Sequence, residues 1–180
     1  MKLLFIRHGQ TDFNKNKIPQ GQEIDAPLND EGIKQIEEAA TYLPNDLDFI
    51  ISSPLKRASQ TAEILNKKLN IKIQFNDDIK ELRYGSLAGK TWPEVEIETG
   101  DKNVKEKDDN ITFDYSKFGG DTAADLKKRV GKFIEELKLT NSDKTILIVT
   151  HGGVIDTMHI LYPQTEKKEK KNGTIHEFDF

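Results

Sequence analysis

The sequence contains no cysteine, which excludes disulfides, thiol nucleophiles and cysteine-ligated zinc together. No apolar run approaches the roughly 20 residues of a membrane span, so no membrane partner is expected. An excess of one charge sign is also missing. The 27 basic and 31 acidic residues leave a net charge of −4, which gives no general attraction for nucleic acid or an anionic surface. Any basic cluster must be local. The first apolar run could open a signal sequence, but it stops at Arg7 and no small-residue cleavage site follows, so a cytoplasmic location is expected. With 180 residues, 35% hydrophobic and 32% charged, the chain reads as one globular domain over 1–180. Such a domain removes roughly 70% of its unfolded surface from water and needs no metal or disulfide to hold it.

What is present alternates between strand and helix. Leu3 to Ile6 is an apolar run too short for a helix, and it passes straight into Arg7-His8-Gly9, the pattern of a central strand ending at a ligand crevice. Residues 12–28 are polar and turn-rich, a loop over the end of the sheet. A helix then follows with Asn29 as N-cap, Asp30 and Glu31 in its first turn, and an apolar face of Ile33, Ile36, Ala40 and Leu43, stopped by Pro44. Leu47 to Ile51 is a second strand, Ser53-Pro54 opens a helix over 54–69, and 71–75 alternates like a strand with one solvated face. Residues 76–120 hold Gly85, Gly89, Pro93, Gly100, Gly119-Gly120 and a charged stretch over 101–110, and read as a short irregular lid with room for a helix over 91–99. An amphipathic helix over 121–139 carries Leu126, Val130, Phe133, Ile134 and Leu137. Thr145 to Thr150 is a second buried strand, 166–171 a solvated charged turn, and 174–180 an edge strand. This order predicts an α/β fold, a mostly parallel central sheet sandwiched by helices.

Both buried strands end in histidine-glycine: Arg7-His8-Gly9 and Thr150-His151-Gly152. Parallel strands share their C-terminal side, so both imidazoles fall on one edge of the sheet. Arg57, near the start of the helix after Ser53-Pro54, adds a cation close to a helix N-terminus that itself favours anions. Two histidines and two arginines make a pocket for a dianion, and phosphate matches the guanidinium fork. Taken singly, Arg57 also suits a surface helix arginine, Glu81 a solvated loop acid and His151 a satisfied strand end. His159, inside a helix, and His176, on the last strand, read as structural or surface residues.

The chain resembles the histidine phosphatase superfamily, in its phosphoglycerate mutase-like branch. The resemblance rests on Arg7-His8-Gly9-Gln10-Thr11 with Asn14, on Gly21 with Asp25, Pro27, Leu28 and Gly32, and on the run from Ser52 to Ala62. It continues through Glu81-Leu82-Arg83-Tyr84-Gly85, Gly119-Gly120-Asp121 and Val149-Thr150-His151-Gly152-Gly153. It implies a phosphatase acting on a small-molecule phosphate ester, with His8 as the nucleophile that becomes phosphohistidine. It further implies that Arg7, Arg57 and His151 hold the equatorial oxygens and that Glu81 gives a proton to the leaving oxygen. Substrate-binding roles fall on Asn14, Gln20, Gly21 and Gly152. No metal and no cofactor are implied. The two arginines beside His8 disfavour the imidazolium, and its other ring nitrogen is expected to donate to a backbone carbonyl.

Two alternatives remain at this level, a cofactor-dependent phosphoglycerate mutase and a binding-only member of the family. Mutases of the branch carry a lysine where this chain has Trp92, and an arginine pair in a longer insertion, whereas no arginine occurs here between Lys90 and Lys117. Arg83 and Tyr84 do resemble the mutase pattern. Phosphatases of the branch often have glutamate where this chain has Ala88, and glutamate-serine where it has Asp121-Thr122. A binding-only relative would usually have lost His8 or Glu81. Trp92, Phe113, Tyr115 and Phe118 either pack the lid or face an apolar leaving group.

Overall fold

The computed structural model describes residues 1–163, 169 and 171–180. Five strands form one sheet in the order β3-β2-β4-β1-β5: β1 (Lys2–Arg7), β2 (Phe49–Ser52), β3 (Lys72–Phe75), β4 (Thr145–Thr150) and β5 (Ile175–Asp179). The first four run parallel, and β5 pairs antiparallel with β1 at the edge. The sheet is therefore mostly parallel and covered on both faces, as the alternation predicted.

Covering both faces explains why β1 and β4 are continuously apolar instead of alternating. Successive side chains enter opposite cores. Leu3, Phe5, Ile146 and Ile148 pack with Leu126, Val130 and Phe133 of α6 (Ala123–Thr140) and with Ile155 and Met158 of α7 (Gly152–Leu161). Leu4, Ile6, Leu147 and Val149 pack with Ile36 and Ala40 of α2 (Asp30–Tyr42) and with Ala58, Ala62 and Leu65 of α3 (Lys56–Leu69). The remaining helices are α1 (Asp12–Lys15), α4 (Trp92–Thr99) and α5 (Val104–Asp109).

Several local expectations change. Ile33 is exposed, and the buried face of α2 is Gly32, Ile36, Ala39 and Ala40. The helix abuts the Gln10 backbone so closely that a Cβ at Gly32 would lie 2.1 Å from the Gln10 carbonyl, and that contact sets its rotation. Helix α3 starts at Lys56, two residues later than Ser53-Pro54 suggested, because its capping acceptor comes from elsewhere. The Lys56 amide donates to Asp25 Oδ1 at 2.6 Å. Within 76–120, α4 has the reciprocal Thr91–Glu94 capping box, and the charged stretch folds as α5, anchored by buried Val104. The lid packs on the α6 side of the sheet through Leu82, Leu87, Val95, Ile111 and Tyr115. His159 and His176 are both buried and paired ring to ring, Nε2 to Nδ1 at 2.9 Å, which makes them structural. The charged turn expected at 166–171 lies mainly outside the described residues. No described helix is long and apolar enough to cross a membrane.

Candidate active site

The C-terminal ends of β1 and β4 lie side by side, with Arg7 in register with Thr150, so the residues that follow each strand meet. The His8 and His151 rings are 5.1 Å apart. His8 is 2% exposed and His151 fully buried. His8 Nδ1 lies 2.7 Å from the Gly9 carbonyl, which can only accept, and Arg57 Nε donates to His8 Nε2 at 3.2 Å. The proton therefore sits on Nδ1 and the Nε2 lone pair faces the guanidinium. Burial first, and then Arg57 and Arg7, hold the His8 imidazole well below its ordinary range, so it is neutral. The arginines act in the direction the sequence suggested, with desolvation the larger cause.

Arg57 is itself nearly buried and held as a fork. Its Nη2 donates to the Gly21 carbonyl at 2.8 Å and its Nη1 to the Ile24 carbonyl at 3.1 Å. Gly21 has φ +57°, and a Cβ there would lie 2.9 Å from the Leu82 carbonyl, so glycine lets the loop turn its carbonyl onto Arg57. His151 Nε2 is 2.8 Å from Ser53 Oγ, and its buried Nδ1 has no hydrogen-bond partner among the described residues. Burial again comes first in holding His151 well below the ordinary histidine value, followed by Arg57.

Glu81 enters from the lid side. Its Oε1 accepts from the Leu82 amide at 2.9 Å and its Oε2 from the Gly153 amide in the first turn of α7 at 3.4 Å. Asn14 closes a capping box with Thr11 at the start of α1, and Gln20 Nε2 donates to Thr11 Oγ1 at 2.9 Å. These residues surround a cavity of about 300 Å³. Eight of the nine residues predicted for the site line it: Arg7, His8, Asn14, Gln20, Gly21, Arg57, Glu81 and Gly152. His151 is not among the lining residues and stands beside them, its ring tilted 60° to that of His8.

Sequence reasoning missed several supports. Arg129 Nη1 donates to the carbonyls of Asp78 and Lys80 at 2.8 Å each, and its Nη2 reaches the Glu81 carbonyl at 3.4 Å, so α6 holds the segment that carries Glu81. Its position three residues after Leu126, on the flank of the apolar face, was the available signal. Asn172 Nδ2 donates to the His8 carbonyl at 2.7 Å. Only its place before Gly173, a turn pair, hinted at anything. Asp108, on α5, also lines the cavity, from the charged stretch that the sequence assigns to the lid without singling out a residue.

The arrangement offers a neutral imidazole with a fixed tautomer, two guanidinium groups around it and a carboxyl held on the opposite wall. Known proteins agree with that chemistry. An uncharacterized phosphatase of Bacillus subtilis, PhoE, is 35% identical over 154 residues, 85% of this chain and 72% of its own. A Schizosaccharomyces pombe protein named as a phosphatase is 35% identical over 179 residues, 97% of this chain and 77% of its own. The solved mycobacterial glucosyl-3-phosphoglycerate phosphatase, in complex with VO3, superposes with a TM-score of 0.83 at 25% identity, covering 98% of this chain and 91% of that one. Residues 3–176 match the model of the histidine phosphatase superfamily, branch 1. A chain matched over nearly its whole length, with a neutral histidine between arginines at the end of β1, belongs to the histidine phosphatase superfamily.

Proposed function

We propose that residues 1–180 act as a single catalytic domain that hydrolyses a small phosphomonoester through a phosphohistidine on His8 Nε2. The observation that carries this reading is the His8 geometry: Nδ1 committed to the Gly9 carbonyl, and an Nε2 lone pair beside Arg57. A bound phosphoryl group would sit against that guanidinium, with phosphorus within reach of the lone pair.

In the first half-reaction the Nε2–P bond forms as the bond from phosphorus to the leaving oxygen breaks. Arg7, Arg57 and His151 take the charge on the equatorial oxygens, His151 through its Nδ1, which has no hydrogen-bond partner among the described residues. Glu81 gives its proton to the departing oxygen, which leaves as an alcohol. In the second half-reaction a water replaces the alcohol, Glu81 takes its proton, the N–P bond breaks and inorganic phosphate leaves. Asn14, Gln20, Gly21 and Gly152 shape the phosphate end, Gly21 by supplying the carbonyl that orients Arg57. Phosphatase names among the relatives support hydrolysis over isomerisation, and Trp92 lines the cavity where mutases of the branch carry a lysine. Small phosphate esters are dissolved metabolites, which suits a cytoplasmic enzyme.

The test is release of phosphate from para-nitrophenyl phosphate. His8→Ala is expected to lower kcat by at least about 10⁴-fold, and quenching the wild type during turnover in alkaline detergent should yield a phosphoenzyme, stable to base and lost in acid, that the variant lacks. Glu81→Gln should slow alkyl phosphates far more than the nitrophenyl ester, whose leaving group needs no proton. Equal losses for both esters would remove Glu81 from the acid role.

A further inference from the structure

The outer wall of the cavity is built around a carboxylate that the phosphate chemistry does not use. Asp108 lines the cavity from α5, and two buried phenols, Tyr84 and Tyr115, both donate to its Oδ1 at 2.9 Å. The phenols are themselves locked, with ring centroids 4.8 Å apart and edge to face. Among the described residues no donor reaches Oδ2. Burial pushes this carboxyl up to about 6, against the pull of the two phenols. A partly buried carboxylate with one oxygen clamped and the other open toward a cavity is an acceptor waiting for a donor. It cannot serve the phosphate, which it repels.

The surrounding charges say which donor. Lys105 pairs with Asp109 and lies over the Trp92 ring at 4.9 Å, so a cation already stands beside Asp108. Lys17 lines the same cavity. Besides the residues assigned to the phosphate chemistry, two lysines (Lys17 and Lys105) and three aspartates (Asp108, Asp109 and Asp156) line the cavity, so neither sign dominates. At Asp108 a second anionic group on the substrate would meet Asp108 and Asp109, and an ammonium group would meet Lys105. A hydroxyl meets neither objection and supplies the proton Oδ2 lacks. The geometry points to Asp108 as a specificity-determining residue that accepts a hydrogen bond from a hydroxyl of the leaving group, so that the preferred substrate is the monophosphate of a neutral polyhydroxy alcohol. This rests on the phosphatase reading of the His8 end.

The test compares kcat/KM for glucose 6-phosphate and glycerol 2-phosphate with that for para-nitrophenyl phosphate, in the wild type, Asp108→Ala, Asp108→Asn and Tyr115→Phe. Asp108→Ala should lower the ratio of polyol ester to nitrophenyl ester about tenfold or more, as expected for a lost bond to a charged acceptor, with the loss mainly in KM. Asp108→Asn, which keeps an acceptor, should fall between, and Tyr115→Phe should shift the ratio the same way by less. An unchanged ratio in Asp108→Ala overturns the assignment, as does a wild type that prefers a sugar bisphosphate or phosphoethanolamine. Titration calorimetry of glucose 6-phosphate into His8→Ala and into His8→Ala with Asp108→Ala keeps the subsite testable apart from turnover. If the folded wild type releases phosphate from no ester, the phosphatase reading fails, while weaker binding in the double variant still supports the acceptor and equal binding removes it.

Discussion

The inner and outer ends of the cavity are built by opposite means. The inner end consists of residues that follow buried strands, held by backbone carbonyls: His8 by Gly9, Arg57 by Gly21 and Ile24. The outer end hangs on side chain to side chain bonds, Tyr84 and Tyr115 to Asp108 and Lys105 to Asp109. Backbone carbonyls are present whatever the sequence, so, Gly21 apart, a chemistry anchored to them survives substitution nearby. A wall anchored by side chains can be rewritten by a few changes. The difference teaches where the reaction is kept and where its substrate is chosen.

The sharpest way to break this contrast is Arg57→Ala. It should lower kcat/KM for every ester by about 10²–10³-fold, roughly 3–4 kcal/mol of transition-state stabilisation. Lysine should not restore it, because one ammonium cannot donate to His8, Gly21 and Ile24 in a fixed plane. Substitutions at Asp108 should instead redistribute activity among esters.

The two ends also respond to acid with opposite sign. His8 and His151 are held well below the ordinary value of 6.5, so the unfolded chain binds protons that the folded chain refuses. Their contribution is complete above 6.5 and is lost as pH falls below it, by up to about 1.4 kcal/mol per pH unit for each group. Asp108 is raised from 3.8 to about 6, so its folded form takes a proton first, and the cost of burying the charge fades as pH drops from 6 toward 3.8. Urea midpoints at pH 5 and 7.5 should show the histidine loss in the wild type and a shallower loss in His8→Asn. Asp108→Asn should gain stability at pH 8, a gain that vanishes near pH 4. A gain that grew on acidification would contradict the burial account.

The smallest expected effect is on the helix that carries Arg57. Asp25→Ala removes the acceptor for the Lys56 amide and should cost about 1 kcal/mol, read as a lower thermal midpoint with a modest rise in KM. Loss of activity with unchanged stability would place Asp25 in the chemistry instead.

How legible each end was in the sequence follows from the same difference. The two His-Gly strand ends could be read because a short apolar run and a parallel sheet fix where they point. Arg57 could be read from its nearness to a helix start, although the residue that caps that helix is Asp25, thirty-one positions away, which no local pattern reveals. Asp108 could not be read. In a stretch of alternating lysine and acid it looks solvated, and only the arrival of Tyr84 and Tyr115 from other segments buries it. The expected face of α2 failed at Ile33 for a related reason, since its rotation is set by Gly32 against the Gln10 backbone.

The two glycines after His151 differ in what they leave room for. A methyl group at Gly152 would rest 3.6 Å from the Arg7 guanidinium carbon, an ordinary contact, whereas one at Gly153 would lie 2.5 Å from Glu81 Oε1. The carboxylate end is flexible and would swing away. Gly153→Ala thus turns a position that carries no functional group into a handle on the timing of turnover, dislodging Glu81 while leaving it in the chain. A chain altered there would load phosphate from an activated ester and shed it slowly, a form suited to isotope labelling or crystallisation of the intermediate.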